Sequence, residues 1–169
     1  QQDLSIEWPP SIIRNEYDQC LRAIRTHILA GDTYQVNFTY RLHSITDVDL
    51  WRLFVQTVGD DQAPFAGFVD TGEWAICSAS PELFLRIDGK QITSRPMKGT
   101  AARGLWFEDD QSKKKTLISS EKERAENVMI VDMVRNDLGR VALPGSVRVS
   151  SLFEVEKYPT VWQMTSTVC

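Results

Sequence analysis

Two short stretches, Asp70-Thr71-Gly72 and Asp88-Gly89-Lys90, constrain what this chain can fold into more than any others. Each lies between two runs rich in aliphatic, aromatic and β-branched residues, and Asp/Gly punctuation at such a place closes a β-hairpin. Phe65 to Val69 and Trp74 to Ser78 read as the arms of the first hairpin, Leu83 to Ile87 and Gln91 to Ser94 as those of the second. Adjacent strands joined this tightly must pair antiparallel. Outside the hairpins the period changes to that of helices. Tyr17, Leu21, Ile24 and Ile28 recur at helical spacing up to Gly31, and Leu50, Leu53, Phe54 and Val58 line a short helix over Asp49 to Val58. The longest helical pattern runs from Leu117 to Leu138, with Ala125, Val128, Met129, Asp132 and Met133 along one side and Gly139 at its end. Met129 and Met133 read there as core, and Asp132 must find a partner if it shares their surroundings.

Two further strands are expected, Tyr34 to Leu42 from its alternation and Val147 to Leu152 after the Pro144-Gly145 turn. Val155 to Val168 carries aromatic and β-branched residues. Thr100 to Lys115 is polar, sets Glu108-Asp109-Asp110 against Lys113-Lys114-Lys115, and reads as a loop. Hairpins mixed with separate helices predict an α+β fold, mostly antiparallel sheet layers with outer helices.

With 169 residues the chain can bury one real core. Its 19 basic residues against 23 acidic ones leave a net charge of −4, no footprint for nucleic acid. No apolar run approaches the roughly 18 residues of a membrane span, and Gln1 to Ser5 lacks the pattern of a signal peptide. Cys20, Cys77 and Cys169 are too scattered for a metal cluster; Cys20 and Cys77 sit in apolar patterns and read as small core residues of a cytoplasmic protein. Only His27 and His43 are present, poor support for histidine-based chemistry.

The chemistry points elsewhere. Arg95-Pro96-Met97-Lys98-Gly99-Thr100 follows a predicted strand, and Pro96 and Gly99 read as fixing a tight turn that presents Lys98. Ser80-Pro81-Glu82 closes another apolar run with a carboxylate. An amine that can attack and an acid that can protonate a leaving group are the two parts of covalent substitution, although most lysines and glutamates are simply solvated. Glu123 and Glu126, three apart on the long helix, share a face and can form half of a hard-cation site or a solvated acidic patch beside Lys122 and Arg124.

Four segments in order carry a resemblance: Gly31-Asp32-Thr33-Tyr34-Gln35-Val36-Asn37, Ser78 to Phe84, Arg95 to Thr100, and Ala125 to Gly139. Through them the chain resembles the chorismate-utilising enzymes, above all the aminodeoxychorismate synthase component I branch. The resemblance implies that Lys98 is a nucleophile toward C2 of chorismate and Glu82 the general acid for departure of the C4 hydroxyl. It implies that Gly99, Thr100 and Gln163 bind substrate, that Glu126 ligates Mg²⁺ and that Glu123 supports it. A glutamine amidotransferase subunit or domain would supply ammonia, in the route to para-aminobenzoate and folate. The anthranilate synthase branch, which carries a small residue at the position of Lys98, is the alternative; a non-catalytic truncated fragment is another. Where the family often has histidine this chain has Gln163, which can hydrogen-bond but not exchange a proton. The family's later metal and carboxylate-binding residues do not occur here. The resemblance therefore implies that 1–169 is the N-terminal part of a chorismate-binding catalytic domain, its C-terminal part absent, and a poor catalyst alone.

Overall fold

The computed structural model describes residues 7–59 and 63–169. The chain divides into two compact units, Gln1–Val48 and Asp49–Cys169.

The first unit is built on helix α1 (Arg14–Ala30). Its first turn is held by the Glu16 carboxylate, which accepts the Ile13 N–H at 3.1 Å, and it ends where Gly31 takes a left-handed conformation (φ 79°). Tyr17 packs against Phe38 and Tyr40, with ring centroids 5.6 and 5.9 Å apart. The expected strand Tyr34 to Leu42 does not form. Among the described residues its only ladder contact is an isolated bridge from Leu42 to Pro10, flanked by Ser11 N–H to Arg41 C=O and His43 N–H to Pro9 C=O. The reason is the partner: Pro9 and Pro10 have no N–H to donate, so a ladder cannot continue along them.

In the second unit Asp49 caps helix α2 (Leu50–Val58), accepting the Arg52 N–H at 2.7 Å. Trp51 and Phe54 pack on Phe68 of β1 (Gly67–Asp70), which pairs with β2 (Ala75–Ser78) as the first expected hairpin. Cys77, read as a core residue, is exposed on β2.

The larger sheet is ordered β3 (Leu83–Asp88), β4 (Gln91–Arg95), β7 (Val161–Val168), β5 (Met97–Ala102), with β6 (Val149–Lys157) on β7 as well. Every pairing is antiparallel. β4 and β5 are interrupted by Pro96 alone and together run along β7, β5 pairing Met97 through Ala102 and β4 only Ser94 with Val168. Helices α3 (Phe107–Ser119) and α4 (Glu121–Gly139) pack against β5, β6 and β7. Two apolar clusters join these layers: Leu117, Trp162 and Met164, and Val131, Leu138 and Val168.

Three expectations are corrected here. Thr100 to Lys115 is not a loop but the end of β5 and most of α3. Its charges are spent locally: Asp109 accepts the Leu105 N–H and pairs with Lys113, and Asp110 accepts the Gly104 N–H and pairs with Arg103. Acidic residues in a first helical turn favour the helix. The long helix is two, because Ser120 breaks it and caps α4 by accepting the Glu123 N–H. Its buried stripe is also the opposite of the one expected: Asn127, Val131 and Leu138 are buried, whereas Met133 is 47% exposed and Asp132 faces out, paired with Arg135 at 2.9 Å. A polar Asn127 disguised the inner face, since nothing in a periodicity shows that its partners wait on the sheet.

Candidate active site

Lys98 lies in strand β5, not in a turn, and what presents it is a β-bulge. Met97 pairs with Thr165 and Thr100 with Gln163, so Lys98 and Gly99 together oppose the single residue Met164. Gly99 makes this possible with φ 101°, and a Cβ there would stand 3.1 Å from the Met164 Cβ and 3.3 Å from the Glu123 side chain. Pro96 needs no ladder donor, and its carbonyl accepts the Ser166 N–H at 3.1 Å. Residues that looked like a turn therefore belong to a distorted strand: Pro and Gly mark bulges as well as turns.

The structure brings the other candidates to the same place. Leu83 pairs with Arg95, which sets Glu82 beside the start of β5, where its carboxylate accepts the Met97 N–H at 3.0 Å. The acid and the amine are thus tied to adjacent residues of one backbone. Gln163 braces the bulge from across the ladder, its amide donating to the Gly99 carbonyl at 3.0 Å while its oxygen accepts from the Thr100 hydroxyl at 2.8 Å. With those bonds made, Gln163 shapes the strand as much as it could contact a ligand.

Behind the bulge runs α4. Glu123 reaches Gly99, and Lys122 lies 3.7 Å from both the Glu123 and the Glu126 carboxylates, so the two glutamates converge on one region as their spacing predicts. Lys98 forms no ion pair among the described residues, which leaves its amine available. No group of three or more metal-ligating side chains occurs among the described residues. Two carboxylates do suit Mg²⁺, which holds water and takes oxygen ligands from its substrate.

Sequence reasoning missed the frame around these groups. Buried Asn127 donates to the Lys98 carbonyl at 3.1 Å. Arg95, next to Pro96, is held by Glu156 of β6, whose Oε1 also accepts from the Thr165 hydroxyl at 2.6 Å. At the far end of β5, Arg103 and Asp110 form a two-pronged pair at 2.7 and 2.6 Å, and the Trp162 indole N–H donates to the same carboxylate at 2.9 Å. The Arg103 guanidinium, with help from the Gly104 and Trp162 N–H donors, holds the Asp110 carboxyl well below the usual carboxylate range. Burial raises the Tyr158 phenol, which donates to Glu156. An open apolar groove of about 920 Å³ lies between the β3–β4 hairpin and the α4–β6 connection, lined by Ile87, Ile92, Leu138 and Val147; none of the candidate residues borders it.

Comparison with known proteins identifies the family. The profile of the chorismate binding enzymes matches residues 1–169. Aminodeoxychorismate synthase component 1 of Escherichia coli strain K12 is 41% identical over 165 residues, 98% of this chain and 36% of that protein. Anthranilate synthase component 1 of Thermus thermophilus is 41% identical over 155 residues, 92% of this chain and 34% of its own length. The crystal structure of anthranilate synthase component I from Streptococcus pneumoniae superposes with a TM-score of 0.86 at 28% identity, over 99% of this chain and 37% of that one. The chain thus spans about a third of the length of the curated relatives named here.

Proposed function

The chain belongs to the chorismate-binding enzyme family, and from that premise we propose that residues 1–169 are the N-terminal part of a catalytic domain whose complete form aminates chorismate at C4. The observation that carries this reading is the bulge itself, which presents Lys98, an amine without an ion-pair partner among the described residues, one residue from the N–H that holds Glu82.

In the proposed reaction the Lys98 amine bonds to C2 of the ring, the two ring double bonds shift, and the C4 hydroxyl leaves as water with the proton of Glu82. Ammonia from a glutamine amidotransferase partner then bonds to C4, the double bonds return, and Lys98 departs from C2 as the free amine. Glu82 recovers a proton from the incoming nitrogen, and the product is 4-amino-4-deoxychorismate. Glu126, with Glu123 beside it, would hold Mg²⁺, which when bound neutralises the carboxylate of the ring. Gly99 and Thr100 offer backbone and hydroxyl groups at the rim of the bulge.

The test is to incubate the full-length protein with chorismate and Mg²⁺ without ammonia and to map adducts by peptide mass spectrometry. Mass should be gained on the Lys98 peptide and be lost with Lys98→Ala; an adduct on another lysine would sink the assignment. The similarity to anthranilate synthase component 1 supports a second reading, in which ammonia attacks C2 directly and the product is anthranilate. Product analysis separates the two.

A further inference from the structure

The strand β7 carries a second bulge on its other edge. Ser151 of β6 pairs with Thr167 and Glu154 with Thr165, so Leu152 and Phe153 oppose Ser166 alone. Phe153 sits there at φ 60°, a left-handed conformation that is uncommon for a bulky residue and persists only when its surroundings enforce it. The enforcement is visible. The Phe153 N–H donates to the Ser166 hydroxyl at 3.1 Å, and the Arg124 guanidinium of α4 lies 4.6 Å from the centre of its ring.

Ser166 in turn donates its hydroxyl proton to the Asn127 oxygen, and the Asn127 amide donates to the carbonyl of Lys98. Asn127 and Ser166 are 1% and 0% exposed, so neither can exchange these partners for water. A continuous buried chain therefore joins the strained bulge of β6 to the bulge that presents Lys98, passing through the helix that bears Glu123 and Glu126. Ser166 and Asn127 each accept one bond and donate one, and the direction is fixed by the ends of the chain: the Phe153 N–H can only donate, the Lys98 carbonyl can only accept.

We propose that Asn127 and Ser166 are positioning residues for Lys98, holding the backbone of its bulge so that its amine is aimed and the adjoining glutamates keep their distance from it. The catalytic consequence rests on the reading of Lys98 as nucleophile, whereas the positioning itself can be read directly. Misplacing a reacting group by about 1 Å costs on the order of a hundredfold in rate.

The experiment uses the full-length protein as wild type, Asn127→Ala, Asn127→Asp and Ser166→Ala. Asn127→Asp keeps the acceptor for Ser166 but turns an oxygen toward the Lys98 carbonyl. Ser166→Ala leaves the amide in place without its orienting bond and serves if the Asn127 variants fail to fold. Two readouts are taken: the rate at which an amine-reactive ester labels Lys98 relative to Lys90 and Lys115 in the same digest, and the single-turnover rate of adduct formation from chorismate. Both Asn127 variants should change Lys98 labelling several-fold with the reference lysines unmoved, and should slow adduct formation about a hundredfold with chorismate KM little altered. Ser166→Ala should act in the same direction and less. Lys98 labelling that stays in step with the reference lysines in all variants overturns the proposal. Selective labelling changes without any adduct on Lys98 in the wild type uphold the positioning and overturn only the nucleophile reading.

Discussion

At Gly99 one added methyl group would have to share space with Met164 and Glu123 at once, and would do so on a backbone with φ 101°. Met164 cannot yield cheaply, since it is fully buried with Leu117 and Trp162. Gly99→Ala should therefore cost about 1–3 kcal/mol from the left-handed conformation and crowding together, read as a shift in the denaturant midpoint. Gly139 is the control, because it closes α4 with no neighbour within 4 Å of a built Cβ. Gly139→Ala should leave stability equal or raise it by up to about 1 kcal/mol. The sequence singled out Gly99 correctly, yet for a turn it does not make. A glycine signals unusual backbone without saying whether the chain reverses there or merely gains a residue against its partner.

On α4 the two glutamates differ in what surrounds them. Glu123 is packed against Gly99, while Glu126 is about half exposed and free to reach a ligand. Glu126→Gln in the full-length protein should raise the Mg²⁺ concentration needed for half-maximal activity about tenfold or more, and Glu123→Gln less. Superimposable Mg²⁺ titrations of wild type and Glu126→Gln would remove Glu126 from the site. At the start of α3 the Asp110 pair contributes to acid stability. Its carboxyl titrates below the ordinary value of about 3.9 in the folded state, so the unfolded chain binds the proton first and acidification favours unfolding. The stabilisation is complete above pH of about 4 and is lost as pH falls through the lower folded value. Asp110→Asn should flatten that part of a Tm-against-pH curve, as seen by thermal melts between pH 2.5 and 6 (roughly the window set by the two carboxyl values).

These elements also show where reading a sequence succeeds. The hairpins around Gly72 and Gly89 and the helices ending at Gly31 and starting at Asp49 are local, with punctuation that lies within a few residues of what it controls. The strand expected at Tyr34 to Leu42 failed because it depended on a prolyl partner, and the α4 stripe was inverted because buried Asn127 draws its partners from β5 and β7, 29 and 39 positions away. Residue type and motif were enough to name Lys98, Glu82, Glu123, Glu126 and Gln163 as candidates; the bracing bonds of Gln163, Asn127 and Ser166 depend on register across β7, which no local pattern records.

On the largest scale, the strand at the centre of the larger sheet follows all its partners in sequence among the described strands. β7 pairs with β4, β5 and β6, and its residues Trp162, Met164 and Val168 enter both apolar clusters. As the polypeptide leaves the ribosome, the hairpins β1–β2 and β3–β4 can zip as soon as each emerges. β5, β6 and the bulge that carries Lys98 must wait with open edges until Val161 to Val168 arrives. Chains halted at Tyr158 should protect the β3–β4 amides from hydrogen exchange but not those of Met97 to Ala102, whereas chains reaching Cys169 should protect both. The stretch from Met97 to Ala102 is thus made well before it can take shape, so any delay in synthesis between Ala102 and Val161 prolongs the interval in which it is a ready template for mispairing.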